Sequence, residues 1–230
     1  MTAVGLTNIL LTNDDGIDAP GLQVLAQVLP GALVVAPQAQ FSGCGHRITT
    51  GRPILFEQRT SHRYAVQGTP VDCVRLTLAH WQPDTAWVLA GVNQGANLGV
   101  DVYQSGTVAA VREAALHRIP AIALSQYQQR GTEIDWQRTQ RWSEKVLQIL
   151  FQKPAPGCFW NVNFPHLEPT APEPELVFCP PCTQPLPMQY QATPQGFVYQ
   201  GVYQQRPYDP AADVAVCFRG HIAISQMGLG

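Results

Sequence analysis

The chain has 230 residues, a formal net charge of -2, 45% hydrophobic residues and 13% charged residues. A charged share about half the usual roughly 25% excludes an intrinsically disordered chain, and the length suffices for one large α/β domain or a core with an appendage. A sequence pI near 6.3 with no basic run disfavours binding to a nucleic acid duplex, which needs a basic surface to neutralise phosphates.

Only two of the 14 basic residues are lysines, Lys145 and Lys153. Met1 to Thr7 carries no charged side chain, Ile9-Leu10-Leu11 is too short for a signal-peptide core, and no stretch approaches the ~20 apolar residues that span a bilayer. The expectation is a cytoplasmic protein with no membrane partner.

Along the chain, strand-like and helix-like segments alternate up to about Pro165, the pattern of an α/β fold with a mostly parallel sheet and helices on its faces. Asn8 to Thr12 reads as a buried strand. Asp18-Ala19-Pro20 reads as a helix start with Asp18 as N-cap, running to about Leu29. Ala32 to Ala36 is a second strand, Gln38 to Arg47 a polar loop, and Pro53 to Phe56 with Arg63 to Val66 a hairpin. A helix follows from about Pro70 to Trp81, then a strand from Thr85 to Ala90 and a long glycine and asparagine loop from Gly91 to Gln104. Ser105 opens a helix to about Arg118, Pro120 to Ser125 is a strand, Asp135 to Phe151 an amphipathic helix, and Cys158 to Phe164 the last core strand.

Beyond Pro165, prolines crowd in and aromatics alternate with glutamines. Two units are therefore expected: an α/β core over 1–165 and an extended, strand-rich C-terminal appendage over 166–230, without a helix, packed on the core or on a neighbouring subunit.

The six cysteines are scattered through a chain too large to need a disulfide framework, so reduced thiols are expected. Cys179-Pro-Pro-Cys182 has the spacing of a redox or zinc motif, but no second ligand pair accompanies it and it lies in a late proline-rich segment.

Asn13-Asp14-Asp15-Gly16 follows the first strand directly, so two adjacent carboxylates stand at its carboxyl end, the edge where doubly wound sheets bind ligands. Ser42, in the loop after the second strand, and Asn93, three residues past Ala90, fall on the same edge. Such hard oxygen donors suit an ion of the Mg2+ or Mn2+ class. A turn rich in Asp, Asn and Gly is the plainer reading of Asp14 and Asp15 taken alone. Ser105-Gly106-Thr107 adds a helix N-terminus, which offers unpaired N–H groups to an anion, and the glycine would let a phosphate come close. His46 lies near these loops as an exposed loop histidine, and the other histidines form no ligand spacing.

The run Asn8-Ile-Leu-Leu-Thr-Asn-Asp-Asp-Gly-Ile-Asp-Ala-Pro-Gly-Leu22 resembles the opening signature of the SurE family of metal-dependent 5'/3'-nucleotidases. Further similar segments follow in order: Phe41 to Thr49, Gly68 to Val74, Gly91 to Gly99 leading to Ser105-Gly-Thr-Val-Ala-Ala110, and Asn161-Val-Asn-Phe-Pro165. The resemblance implies a Rossmann-like core and one divalent ion held by Asp14, Asp15, Ser42 and Asn93. It also implies hydrolysis of nucleoside monophosphates, and a tail used in forming a homodimer or homotetramer. Polyphosphate is a further candidate substrate. On this reading Asn97, Ser105, Gly106 and Thr107 hold phosphate oxygens, and Asp14 or Asp15 takes the proton of the attacking water.

Three positions depart from the family pattern: Val100 where Asp is usual, Gln104 where Tyr is usual, and Ala90 where Ser is usual. A phosphoaspartyl mechanism of the haloacid dehalogenase type would put Asn13 at the nucleophile, and a receiver-like module would need a lysine at a late strand end, where this chain has Ser125 and Phe164. A protein that binds nucleotide without hydrolysing it stays open.

Overall fold

The computed structural model describes residues 7–229; residues 1–6, within the stretch read above for targeting, lie outside them. In chain order the elements are β1 (Ile9–Thr12), α1 (Pro20–Val28), β2 (Leu33–Pro37), β3 (Phe56–Thr60), β4 (Arg63–Val66), α2 (Pro70–Leu76), β5 (Trp87–Gln94), α3 (Gly106–Leu116), β6 (Ala121–Gln126), α4 (Trp136–Leu150) and β7 (Cys158–Phe164). The remainder holds β8 (Leu176–Phe178), β9 (Tyr190–Thr193), β10 (Gly196–Tyr199), α5 (Asp213–Phe218) and β11 (Ile222–Gly228).

Nine strands form one sheet in the order β3-β4-β2-β1-β5-β6-β7-β11-β8, parallel except for the β3–β4 and β7–β11 pairs. Strand periodicity sends neighbouring residues to opposite faces, so Leu11, Leu89 and Leu124 pack under α1 and α4, while Leu10, Val88 and Ala123 pack under α2 and α3. Helix α4 presents Trp142, Val146, Leu147 and Leu150 to the core and leaves Arg141, Glu144 and Lys145 exposed, starting from an Asp135 cap that accepts from Arg138 N at 2.9 Å.

The mostly parallel α/β architecture expected from the sequence is the one observed, and the differences have local causes. Ala19, not Asp18, is the N-cap of α1, and its side chain makes no cap. A residue before proline is pushed to extended backbone, so Ala19 is the last non-helical position, and Asp18 turns outward towards Arg63. The first hairpin arm starts at Phe56 rather than Pro53. Helix α2 ends at Leu76 and continues to Trp81 as a π-helical turn. Strand β5 does not stop at Ala90: after a register irregularity it pairs Asn93 with Ser125 and Gln94 with Gln126, which removes the first residues of the expected loop.

The stretch 166–230 is partly built into the core. Its strands β8 and β11 extend the main sheet, and only the β9–β10 hairpin forms a sheet of its own. It also contains α5, where no helix was expected. The run Asp213-Val-Ala-Val-Cys-Phe218 has the β-branched composition of a strand, and burial of Val214, Ala215 and Cys217 overrides that local preference.

Candidate metal and phosphate site

Strand β1 lies between β2 and β5; the chain leaves β1 into α1 on one face and leaves β5 towards α3 on the other. The crevice at this divergence is filled by the segment after β1. Asn13 is a buried staple: its Nδ2 donates to Gly16 O at 2.8 Å, and its Oδ1 accepts from Gly16 N at 3.2 Å. Gly16, at φ +107°, closes the turn in a conformation that side-chain-bearing residues rarely adopt.

Asp14 is buried, at 4% exposure. Its Oδ1 accepts from the Thr107 hydroxyl, and its backbone carbonyl accepts from Phe41 N at 2.7 Å. Asp15 is half-buried, with Oδ2 accepting from Gln94 N at 3.0 Å. Among the described residues neither carboxylate has an Arg, Lys or His within ion-pair range. Burial raises the Asp14 pKa against the donors Thr107 and Gly106. Burial, then the charge of Asp14, pushes Asp15 up to about 6, opposed by the Gln94 amide. Two adjacent acids without a cationic partner have the chemistry to hold a cation.

Ser42 lies exposed in the loop, with Oγ accepting from Gln40 Nε2 at 2.8 Å. Asn93 is half-buried at the end of β5; its Nδ2 donates to Gly95 O at 2.8 Å, which leaves its Oδ1 without an internal donor among the described bonds. The four residues together offer carboxylate, hydroxyl and amide oxygens, a donor chemistry that fits a Mg2+- or Mn2+-class ion. Among the described residues no group of three or more His, Cys, Asp or Glu side chains is arranged to hold a metal.

Ser105 caps α3 by accepting from Val108 N at 3.0 Å. Gly106 sits hard against Asp14: a Cβ there would lie 2.9 Å from Asp14 Oδ2 and 3.0 Å from Cys44 Sγ. Thr107, expected among the phosphate donors, is fully buried and spends its hydroxyl on Asp14. Asn97 is buried and fixed from both sides. Its N donates to Asn163 Oδ1 at 2.8 Å, its Nδ2 donates to Ser125 Oγ at 2.8 Å, and its carbonyl accepts from Asn161 and Asn163.

Sequence reasoning assigned no role to Ser125, Asn161 and Asn163. The available signal was two asparagines, two apart, in a strand otherwise buried: they share a face and need partners there. It also missed Glu113, an acid on α3 at 2% exposure that accepts from His46, Arg75 and His117. Burial alone would raise its pKa, but the hydrogen bonds from His46, Arg75 and His117 outweigh that and bring it down to about 2. His46 is therefore a structural partner of α3 and not a free loop histidine.

All six cysteines are free thiols. Cys182 is buried against Gly99, and its N donates to Asp213 Oδ1 at 2.8 Å, so the Cys-Pro-Pro-Cys segment anchors the tail.

The sequence profile of the family described as Survival protein SurE matches residues 9–184. A Nostoc sp. protein provisionally named a 5'-nucleotidase is 51% identical over 95% of this chain and 98% of its own length. A protein of Paramagnetospirillum magneticum named 5'-nucleotidase SurE is 36% identical over 95% of this chain and 88% of its own. The crystal structure of the SurE protein from Aquifex aeolicus superposes with a TM-score of 0.84 at 26% identity, covering 96% of this chain and 93% of that one. With a profile match across most of the chain and relatives well above 30% identity along nearly all of it, the chain belongs to the SurE family.

Proposed function

We propose that the protein is a 5'-nucleotidase: a divalent-metal-dependent phosphomonoesterase that releases phosphate from nucleoside 5'-monophosphates, with 3'-monophosphates and polyphosphate as further substrates. The observation that carries this reading is the pair Asp14–Asp15, one buried against the N-terminus of α3 and the other half-buried beside it, neither with a cationic partner among the described residues. The names of the relatives, 5'-nucleotidase SurE, supply the substrate class.

Asp14, Asp15, Ser42 and Asn93 would hold the ion. When bound, a Mg2+ or Mn2+ ion neutralises phosphate charge and acidifies a water. The chain's own contribution is positional. Thr107 and the α3 N-terminus lock Asp14 in one orientation, and Gln94 N does the same for one oxygen of Asp15. Asp15, the less buried of the two, is the better placed to take a proton from water. Of the expected phosphate donors, Ser105 keeps a hydroxyl proton to offer a phosphate oxygen, whereas Asn97 is held by Asn163 and Ser125, and Gly106 and Thr107 are turned to Asp14. With Asn13 consumed as a turn staple, a phosphoaspartyl mechanism has no nucleophile at that position.

The stretch 166–230 supports self-association, because Tyr190, Phe197, Val198 and Tyr199 of the β9–β10 hairpin are exposed. Among the described residues no helix is long and apolar enough to cross a membrane.

A phosphate-release screen over nucleoside 5'- and 3'-monophosphates and polyphosphate, with Mg2+, Mn2+ or EDTA, tests the activity. Release that needs a divalent ion and is lost in folded Asp15→Asn is the expected outcome. Metal-independent release, or unchanged turnover in that variant, overturns it.

A further inference from the structure

The segment from Gln38 to Leu55 contains no helix or strand, yet it carries Ser42, one of the four candidate ligands. Its position rests on a short series of anchors. Phe41 N donates to Asp14 O at 2.7 Å and Gly45 N to Gln104 O at 3.0 Å; further on, Arg47 O accepts from Thr69 Oγ1 at 2.6 Å and Thr49 N donates to Asp72 Oδ1 at 2.9 Å. Between these stands one charged anchor, His46 Nε2 on Glu113 Oε2 at 2.8 Å.

Glu113 is out of place for packing alone. It sits on α3 among Ala109, Ala110, Val111, Ala114 and Ala115, all buried, where an apolar side chain would cost nothing in desolvation. Its other oxygen accepts from Arg75 at 2.7 Å and His117 at 3.2 Å, donors whose side chains are about half exposed, while His46 is 24% exposed. The first turn of the same helix carries Thr107, whose hydroxyl holds Asp14. Six residues of α-helix separate the two anchors, a rigid spacing of roughly 9 Å.

We propose that Glu113 is a positioning residue: through His46 it fixes the Ser42 loop to the helix whose first turn orients Asp14, so that α3 sets the distance between two metal ligands. This rests on the metal reading above. Arg75 and His117 then serve to hold the Glu113 carboxylate in place, and the arm that matters for the ion is His46.

The test is Mn2+ binding to the full-length protein, followed by the electron paramagnetic resonance signal of free Mn2+, with the melting temperature recorded for each variant. Groups that orient a ligand typically contribute about 10–100-fold in metal affinity. His46→Ala is expected to weaken Mn2+ binding about tenfold or more with a melting temperature within about 3 °C of wild type, and His46→Gln, which keeps a donor, to recover most of the loss. Arg75→Met is expected to leave affinity within about twofold while lowering the melting temperature. Should His46→Ala fail to fold, Glu113→Gln is read in the same titration against the same tenfold criterion.

Wild-type affinity in His46→Ala overturns the proposal. So does a loss of affinity that Arg75→Met shares in proportion to a common loss of stability, since that describes packing alone. If the wild-type chain itself binds no Mn2+, the metal reading falls and this proposal with it; binding by wild type and His46→Ala alike removes only the latter.

Discussion

Thr107 and Glu113 lie on one helix and do related work with side chains that the sequence presents in quite different ways. Thr107 sits inside a recognisable serine-glycine-threonine helix start, so its closeness to ligand chemistry was legible, but its partner was not. The hydroxyl reaches Asp14, 93 residues earlier in the chain. Thr107→Val is expected to free that carboxylate and reduce phosphate release by about 10–100-fold, with Thr107→Ser restoring most of it; equal rates in wild type and Thr107→Val would remove the positioning role.

Glu113 gives a pH-dependent stability signature. Its folded pKa of about 2 lies below the ordinary 4.5, so its stabilising contribution is complete above the unfolded value and is lost as pH falls through the folded one. Glu113→Gln lacks that contribution. The gap in melting temperature between wild type and this variant should narrow on going from about pH 6 to about pH 3, and a constant gap would contradict the depressed value. Nothing local marked Glu113 as buried. Its environment is assembled from His46, 67 residues away, and Arg75, 38 away.

At the level of elements, the start of α3 is the most informative piece. Ser105 behaves as a cap should, and Ser105→Ala is expected to cost about 1 kcal/mol in a urea titration. Gly106 is harder to read from sequence, because alanine is normally the better helix former by about 0.8–1 kcal/mol. Here an added Cβ would lie 2.8 Å from Asp14 Cβ, so Gly106→Ala should lose activity by about tenfold or more and fail to gain the stability that propensity promises. A more stable and fully active Gly106→Ala would show that the helix does not pack on Asp14. The long strands and helices were legible because their apolar residues recur with the right period. The ends of β5 and the helix α5 were not: the first depends on pairing Asn93 with Ser125, and the second on burial against the tail cluster around Leu98 and Cys182.

Across the whole molecule, the tail is tied to the rim of the site. Arg206 is fully buried; its Nη1 donates to Asp101 Oδ2 at 2.7 Å, and its Nη2 to Leu98 O at 3.3 Å. Tyr203 donates to the same Asp101 oxygen at 2.5 Å, and Asp101 O in turn accepts from Gln104 and Ser105. A buried pair that loses one partner leaves an uncompensated charge, so Arg206→Met should destabilise by about 3 kcal/mol in urea unfolding. A change under about 0.5 kcal/mol would mean that the tail does not brace the loop leading to α3.

The sheet also shows an unusual path. Helices α1 and α3 lie on opposite faces and connect strands running across the sheet in opposite directions, which gives both crossovers the same hand. Helix α4 connects β6 to β7 in the direction of α3 but on the face of α1, so its crossover has the opposite hand, against the strong preference for one hand in such connections.

The amino-acid sequence was sufficient for the α/β class, for the adjacent carboxylates Asp14 and Asp15 at a strand end, and for the capped helix start at Ser105. These features are local: periodicity, a turn, and a cap are decided within a few residues. Only the tertiary structure decided that Thr107 serves Asp14, that Glu113 anchors the Ser42 loop, that β8 and β11 complete the main sheet, and that α4 crosses on the face it does. Each of these depends on which distant segments meet, and the energy that selects those meetings comes from burial and pairing that no short window of sequence contains.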